Sequence, residues 1–409
     1  MNKITPTAKP PVDIPPPWDR MEQHGVLPRA NHDEIARFNF LANLNKHLAQ
    51  SLGPGNKLAY ETRVAPALEA ELGRPPESRH EIRKAMNRDP YHRFWSALKR
   101  SAMEQRQQAG LSLVLRQIDE IMERVQKADG NLTLDPEIEV PRYVAGVDNH
   151  CMPGSYHSER FPGDVTAGAN YDVGLFVTTG GALGRRNDGG GQAVAEWIGG
   201  QHSDFRPKRI LDVGCTVGHN TLPLAQAYPE AEVIAIDVGT PVLRYAAARA
   251  HEMGIDNVHF LQADAADLSR FEDESFDWVQ TTMFLHETSN RSMRHMFNEF
   301  YRVMAPGALM LHLEQPQYGP DMPLYEQFIR DWDAFNNNEP FWSKMHELDL
   351  REMLRDAGFG DNEIFETHVH AVIDPDLFPE AQKAQQEDHG RAAAWHVFGA
   401  WKGGSPDGG

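Results

Sequence analysis

The stretch ILDVGCTVGHN, residues 210–220, runs from a short apolar strand through a turn holding Gly214 and Gly218, and a helix opens near His219. Glycine has no Cβ, so a bound molecule can approach the backbone closely at such a turn. In an open α/β sheet, ligands collect at the carboxyl ends of the strands, where this turn falls. The strand carries an acid, Asp212, at its end. One strand–helix–strand step later EVIAID (232–237) ends on a second acid, Asp237, and after the next strand QADAADL (262–268) supplies a third, Asp264. A carboxylate at the end of the second strand can accept hydrogen bonds from both hydroxyls of a ribose. Asp264 can accept from an adenine amino group, while a backbone N–H nearby can donate to a ring nitrogen. Each acid alone has a plain reading as a turn or cap residue, Asp237 for instance before the Thr240-Pro241 helix start. Their order and spacing together predict a nucleoside cradle.

Working outward, RILDV (209–213), EVIAID (232–237), NVHFL (257–261), FDWVQTT (276–282) and ALMLHLE (308–314) alternate with helical segments. Such alternation predicts parallel strands with helices on both faces. EIFETHVH (363–370) and AWHVFGAW (394–401) would complete the sheet. The expected fold is α/β, a doubly wound, mostly parallel seven-stranded sheet over residues 206–402, preceded by a helical N-terminal domain over 31–130. In that domain Ile35, Phe38, Leu41, Leu44 and Leu48 make one apolar face. Helices are also expected near 56–72 and 77–88. Leu111, Val114, Leu115, Ile118, Ile121, Met122 and Val125 make a stripe that reads as core or as a dimer seam. Residues 131–205, rich in Gly, Pro, Asn and His, read as a connecting segment or lid. GGALGRRNDGGG (180–191) lacks the Gly-Lys-[Ser/Thr] ending of a phosphate loop. Residues 1–30 read as a Pro-rich arm and 403–409 as a disordered tail.

Composition narrows the function classes. The 409 residues carry a formal charge of −19, which disfavours a phosphate backbone or an anionic membrane as partner. Two cysteines give no disulfide framework, and no secretory leader or membrane span is visible, so a cytoplasmic location is expected. A dinucleotide-dependent dehydrogenase would want G-x-G-x-x-G directly after the strand; here an acid is followed by G-x-x-x-G.

These residues resemble the class I S-adenosylmethionine-dependent methyltransferase family. Its first motif, acid-x-Gly-x-Gly-x-Gly, aligns with Asp212, Gly214, Thr216 and Gly218, with threonine in place of the middle glycine. FNEFYRVMAPGALMLHLE (297–314) is similar to the family's helix, Arg-Val-x-x-Pro-Gly-Gly and strand, and LREMLRDAGF (350–359) to the helix before its last hairpin. The resemblance implies S-adenosyl-L-methionine as cofactor, held by Asp212, Gly214, Gly218, His219, Asp237, Val238, Asp264, Ala265 and Thr282. Leu285-His286-Glu287 resembles the Leu-His-Asp segment of small-molecule O-methyltransferases, which implies His286 as general base. Packing of the loop is its alternative role, and capping of the helix near 291–303 is expected for Glu287. Tyr171 is expected near the sulfonium and His157, with His150, Cys151 and Tyr156, near the acceptor. No familiar metal-ligand spacing occurs. The expected partners are a small-molecule acceptor with an O or S nucleophile and a second copy of the chain. A cofactor sensor or an aminopropyl-type transferase is the alternative.

Overall fold

Short apolar runs build the centre of this molecule. The computed structural model describes residues 16–128, 131–374, 376–378 and 394–404. Its strands are β1 (Leu132–Thr133), β2 (Arg209–Val213), β3 (Glu232–Asp237), β4 (Val258–Gln262), β5 (Phe276–Thr282), β6 (Met304–Leu313), β7 (Ile364–His370) and β8 (Ala394–Trp401). They form one sheet in the order β1-β4-β3-β2-β5-β6-β8-β7. Pairing is parallel from β1 through β6, and β8 lies antiparallel between β6 and β7. The sheet has eight strands rather than the expected seven. The extra one, β1, is a two-residue edge beside β4, too short to carry any periodicity. The tail residues 405–409, and 1–15 of the arm, lie outside the described residues.

Helices cover the sheet. Those that position the site are α1 (His32–His47), α2 (Pro90–Arg116), α3 (Ile118–Lys127), α4 (Thr166–Thr179), α5 (Gly189–Gln201), α6 (Thr221–Ala227), α7 (Thr240–Glu252), α8 (Asn290–Val303), α9 (Leu324–Asn336) and α10 (Leu350–Ala357). Local signals start them. Asn31 and Glu34 close a capping box on α1, and Asp89 accepts from the N–H groups of Tyr91 and His92 ahead of Pro90. The stripe on α2 and α3 is used within the chain: Val114 and Ile121 are fully buried with Tyr245 and Ala248 of α7. Leu115 falls outside that face and is exposed.

Where the sequence predicts an irregular connection over 131–205, residues 166–179 and 189–201 fold as α4 and α5 instead. Their glycines serve close packing. A Cβ on Gly168 would lie 2.6 Å from the Tyr245 side chain, and one on Gly191 would lie 2.6 Å from the Asn220 carbonyl oxygen. Helix α5 therefore presses its first turn onto the backbone of the 214–220 loop. Looseness and close approach both call for glycine, and composition does not separate them.

Gly191→Ala should therefore destabilise the protein by about 1–3 kcal/mol through overpacking against backbone. Gly199→Ala, on the same helix with nothing within 4 Å of the new methyl, should stabilise it by about 0.5–1 kcal/mol. Urea unfolding of both variants checks this; equal effects would refute the close approach of α5 to the loop.

Candidate functional site

At the carboxyl end of β2 the chain turns sharply. Gly214 has φ +72°, and a Cβ there would sit 2.2 Å from the Phe284 ring, so glycine is required on two counts. The N–H groups of Gly214 and Cys215 both donate to the Ile236 carbonyl, at 2.9 and 3.1 Å. Thr216 follows at φ +47° and donates its N–H to Asp237 Oδ2 at 3.1 Å. Asp237 Oδ1 accepts from Gly239 N–H at 2.8 Å. Two backbone donors thus fix the carboxylate while its remaining lone pairs face a cavity. Burial raises Asp237 to about 6 in spite of these N–H groups. Val238, Thr282, His219 and Gly214 line the same cavity. Asp264 and Ala265 line a smaller recess that adjoins it across Phe284 and Asp237.

Two predicted cofactor residues stand behind this wall. Asp212 accepts from the Thr221 hydroxyl beneath the turn, and burial raises it to about 7. Gly218, at φ +77°, packs toward Leu222 and Phe260. Both shape the loop from below. His219 donates Nε2–H to Asp172 of α4 at 2.7 Å, since an ionised carboxylate can only accept. His24 at 2.9 Å and the Tyr245 hydroxyl at 2.8 Å converge on the same carboxylate. Burial alone would raise Asp172, but His219 and His24 outweigh it and hold the group well below the usual carboxylate range.

The opposite wall is built from buried ions. A short turn after β5 carries Leu285, His286 and Glu287. His286 Nδ1 lies 2.5 Å from Glu314 Oε1, just past β6, and Glu314 Oε2 accepts from Leu285 N–H at 2.8 Å. His286 Nε2 points toward Glu339, at 3.6 Å. His150 bridges Glu287 at 3.1 Å and Glu339 at 2.7 Å, and Glu287 also accepts from Tyr156 Oη and Asn149 Nδ2. Burial pulls both imidazoles down. The carboxylates outweigh it, lifting His286 to about 9 through Glu314 and His150 to about 10 through Glu339 and Glu287. Burial also holds Glu339 above its ordinary value, whereas His150 holds Glu287 below.

His286 and Tyr171 therefore meet in the cavity that Asp237 edges. His157 does not: it is half-buried beside Ser158, and its neighbours His150 and Tyr156 face the cavity. The cap of α8 is Ser289, not Glu287, which turns inward. His312 lies in the core against Phe398, where burial drops it to about 3, while Glu314 reaches the site. Trp332 stacks on Trp95 at 4.1 Å, Phe335 is exposed, and Trp342 and Trp395 line the cavity. Glu339 and Arg106 line it too, and neither stands out in the sequence. Among the described residues no group of three or more His, Cys, Asp or Glu is disposed to hold a metal ion.

Residues 210–307 match the family of methyltransferase domains. The demethylmenaquinone methyltransferase of Thermus thermophilus is 37% identical over 110 residues, 27% of this chain and 48% of that protein. The protein of the same name from Lactococcus lactis is 32% identical over 150 residues, 36% of this chain and 57% of that protein. The chain thus spans about half the length of the curated relatives it matches. A solved structure of Haemonchus contortus phosphoethanolamine N-methyltransferase 2 in complex with S-adenosyl-L-methionine is similar over 56% of this chain and 57% of its own, with 19% identity and a TM-score of 0.40. Residues 210–307 are thus similar to methyltransferase domains.

A β-branched residue in the left-handed region is strained by about 1–2 kcal/mol. The contact of Thr216 with Asp237 uses only its backbone N–H. Thr216→Gly should stabilise the protein by about 0.5–1 kcal/mol once the flexibility of glycine is subtracted, read from the urea midpoint. A loss of stability would show that the threonine side chain holds the loop.

Proposed function

We propose that this chain transfers the methyl group of S-adenosylmethionine to an oxygen or sulfur nucleophile of a small molecule, with His286 as general base. One observation carries the reading: the buried Glu314–His286 pair opens on the same cavity as the Gly214 turn and the Asp237 carboxylate. The residues present fit the cofactor. Asp237 keeps free lone pairs for two hydroxyls, and the close seat of Gly214 against Phe284 leaves the turn without a side chain. Asp237 would hold the ribose, and Asp264 with Ala265 the adenine edge. When bound, S-adenosylmethionine supplies a methyl group already activated on sulfur, so no covalent bond to the protein is required.

The chain's own task is then to orient the acceptor, exclude water and receive a proton. His286 Nε2 takes the proton of a hydroxyl or thiol. Glu314 fixes the tautomer through Nδ1–H and balances the imidazolium that results. Tyr171, whose hydroxyl burial keeps protonated, presents an aromatic wall that suits a cationic sulfur. The concave, partly aromatic cavity and the charge of −19 favour a small molecule over a nucleic acid. No helix among the described residues is long and apolar enough to cross a membrane.

Release of S-adenosylhomocysteine across a panel of phenols, hydroxy acids and thiols tests the activity. A base lifted to about 9 is mostly protonated at neutral pH. With an acceptor in hand, kcat/KM should therefore rise about tenfold per pH unit up to that value and level off above it. His286→Asn should lower kcat by about 10²–10⁴-fold, flatten that slope and leave S-adenosylhomocysteine affinity within about threefold. An unchanged slope would remove His286 as base. Asp237→Ala should weaken S-adenosylhomocysteine binding by about 1–3 kcal/mol in calorimetry; unaltered affinity would count against the ribose assignment.

A further inference from the structure

Two arginines are almost wholly buried near the cavity, and their surroundings differ. Arg249 is used structurally: Nη2 donates to the Arg186 carbonyl at 3.0 Å, Nη1 to the Val217 carbonyl at 3.4 Å, and Nε lies 3.9 Å from Asp172. Arg106 is 3% exposed and lines the cavity, yet no carboxylate among the described residues pairs with it. Its Nε–H donates to the Gly174 carbonyl at 2.8 Å, and Nη1 has only the Met103 sulfur at 3.7 Å. A guanidinium has five donors in a fixed fork, so most of them here lack a protein oxygen. A buried cation without its counter-charge is costly.

The seat is built for that group. A Cβ on Gly174 would lie 2.8–3.0 Å from Arg106 Nε, Nη2 and Cζ, so a glycine in α4 makes the space that the guanidinium fills. Tyr171 and Tyr156 line the same cavity as Arg106. Tyr171 feels Arg106 as well as Glu287 and Glu339. Arg106, the two tyrosines and the His286 array thus share one cavity.

We propose that Arg106 anchors a carboxylate on the methyl acceptor, which makes the acceptor a hydroxy or mercapto acid with an apolar, preferably aromatic, body. The acceptor's role rests on the methyltransferase reading above; the anion seat itself does not. The other source of a carboxylate is the methionine part of the cofactor, and the experiment separates the two.

Calorimetry on the full chain would use para-hydroxybenzoate, para-hydroxyphenylacetate and para-hydroxyphenylpropionate, each against its amide, with and without saturating S-adenosylhomocysteine. Wild type should bind at least one acid about tenfold or more tighter than its amide. Arg106→Met should abolish that preference while binding S-adenosylhomocysteine and methylthioadenosine within about threefold of wild type. Gly174→Ala, whose methyl displaces the guanidinium, should weaken the acid and spare the amide, and it decides the matter if Arg106→Met does not fold. Loss of S-adenosylhomocysteine affinity in Arg106→Met with methylthioadenosine unchanged would assign Arg106 to the cofactor and overturn the proposal. Equal binding of acids and amides by wild type, or none by either, would overturn it as well. Failure of wild type to bind S-adenosylhomocysteine, with the acid preference intact, would sink the methyltransferase reading and keep the anion seat.

Discussion

A carboxylate removed from water must be met by partners, or it surrenders its charge. That constraint organises one whole side of the molecule. Glu287, Glu314 and Glu339 are deeply placed around a cavity, and each is met by an imidazole, a phenol or backbone N–H groups. The partners come from the ends of β5 and β6, from the irregular segment around His150, and from the turn after α9. Removing one member of such a buried pair typically costs about 3–5 kcal/mol, so these segments are mutually fixed by electrostatics as much as by packing. His150, Cys151 and Ser155 have left-handed backbone in this segment, from which His150 reaches both Glu287 and Glu339.

The same rule acts once more beneath the cofactor loop. Asp172 gathers His24, His219 and Tyr245, with Arg249 close by. The histidine that precedes α6 is thereby tied to α4 and to the segment ahead of α1. A protonatable array on one wall and a paired carboxylate on the other leave Asp237, raised by burial, as the acid of the cradle with lone pairs facing the cavity.

Much of this was legible in the sequence where the signal is local. Apolar runs, the Gly214 turn and the acids Asp237 and Asp264 lie in a fixed order along the chain, and β2, β3, β5 and β8 begin and end where the pattern does. What escaped was set by distant partners. Glu287 reads as a helix cap because capping is a local rule, yet the residues it meets, Asn149, His150 and Tyr156, are far away in the chain. Glu339 sits in a polar turn with nothing to mark it. Arg106 resembles any other charge on a long helix until Gly174 is seen across from it. His157 and His150 flank the same irregular segment, and only its bent backbone decides which of them faces inward.

The cavity draws its walls from residues as far apart in the chain as Met103 and Trp395. Synthesis therefore delivers its parts in a fixed order. The Gly214 turn and Asp237 leave the ribosome well before Glu339 and Trp395. Central strands β2 to β5 can pair as soon as they emerge, since their partners are near in sequence. During that interval the nascent protein has the Gly214 turn and Asp237 without the far wall, and His286 lacks its counter-charges Glu314 and Glu339. The far wall of the cavity, with Glu339 and Trp395, is thus the last part of it to be made, and the buried charges it meets wait in water until then.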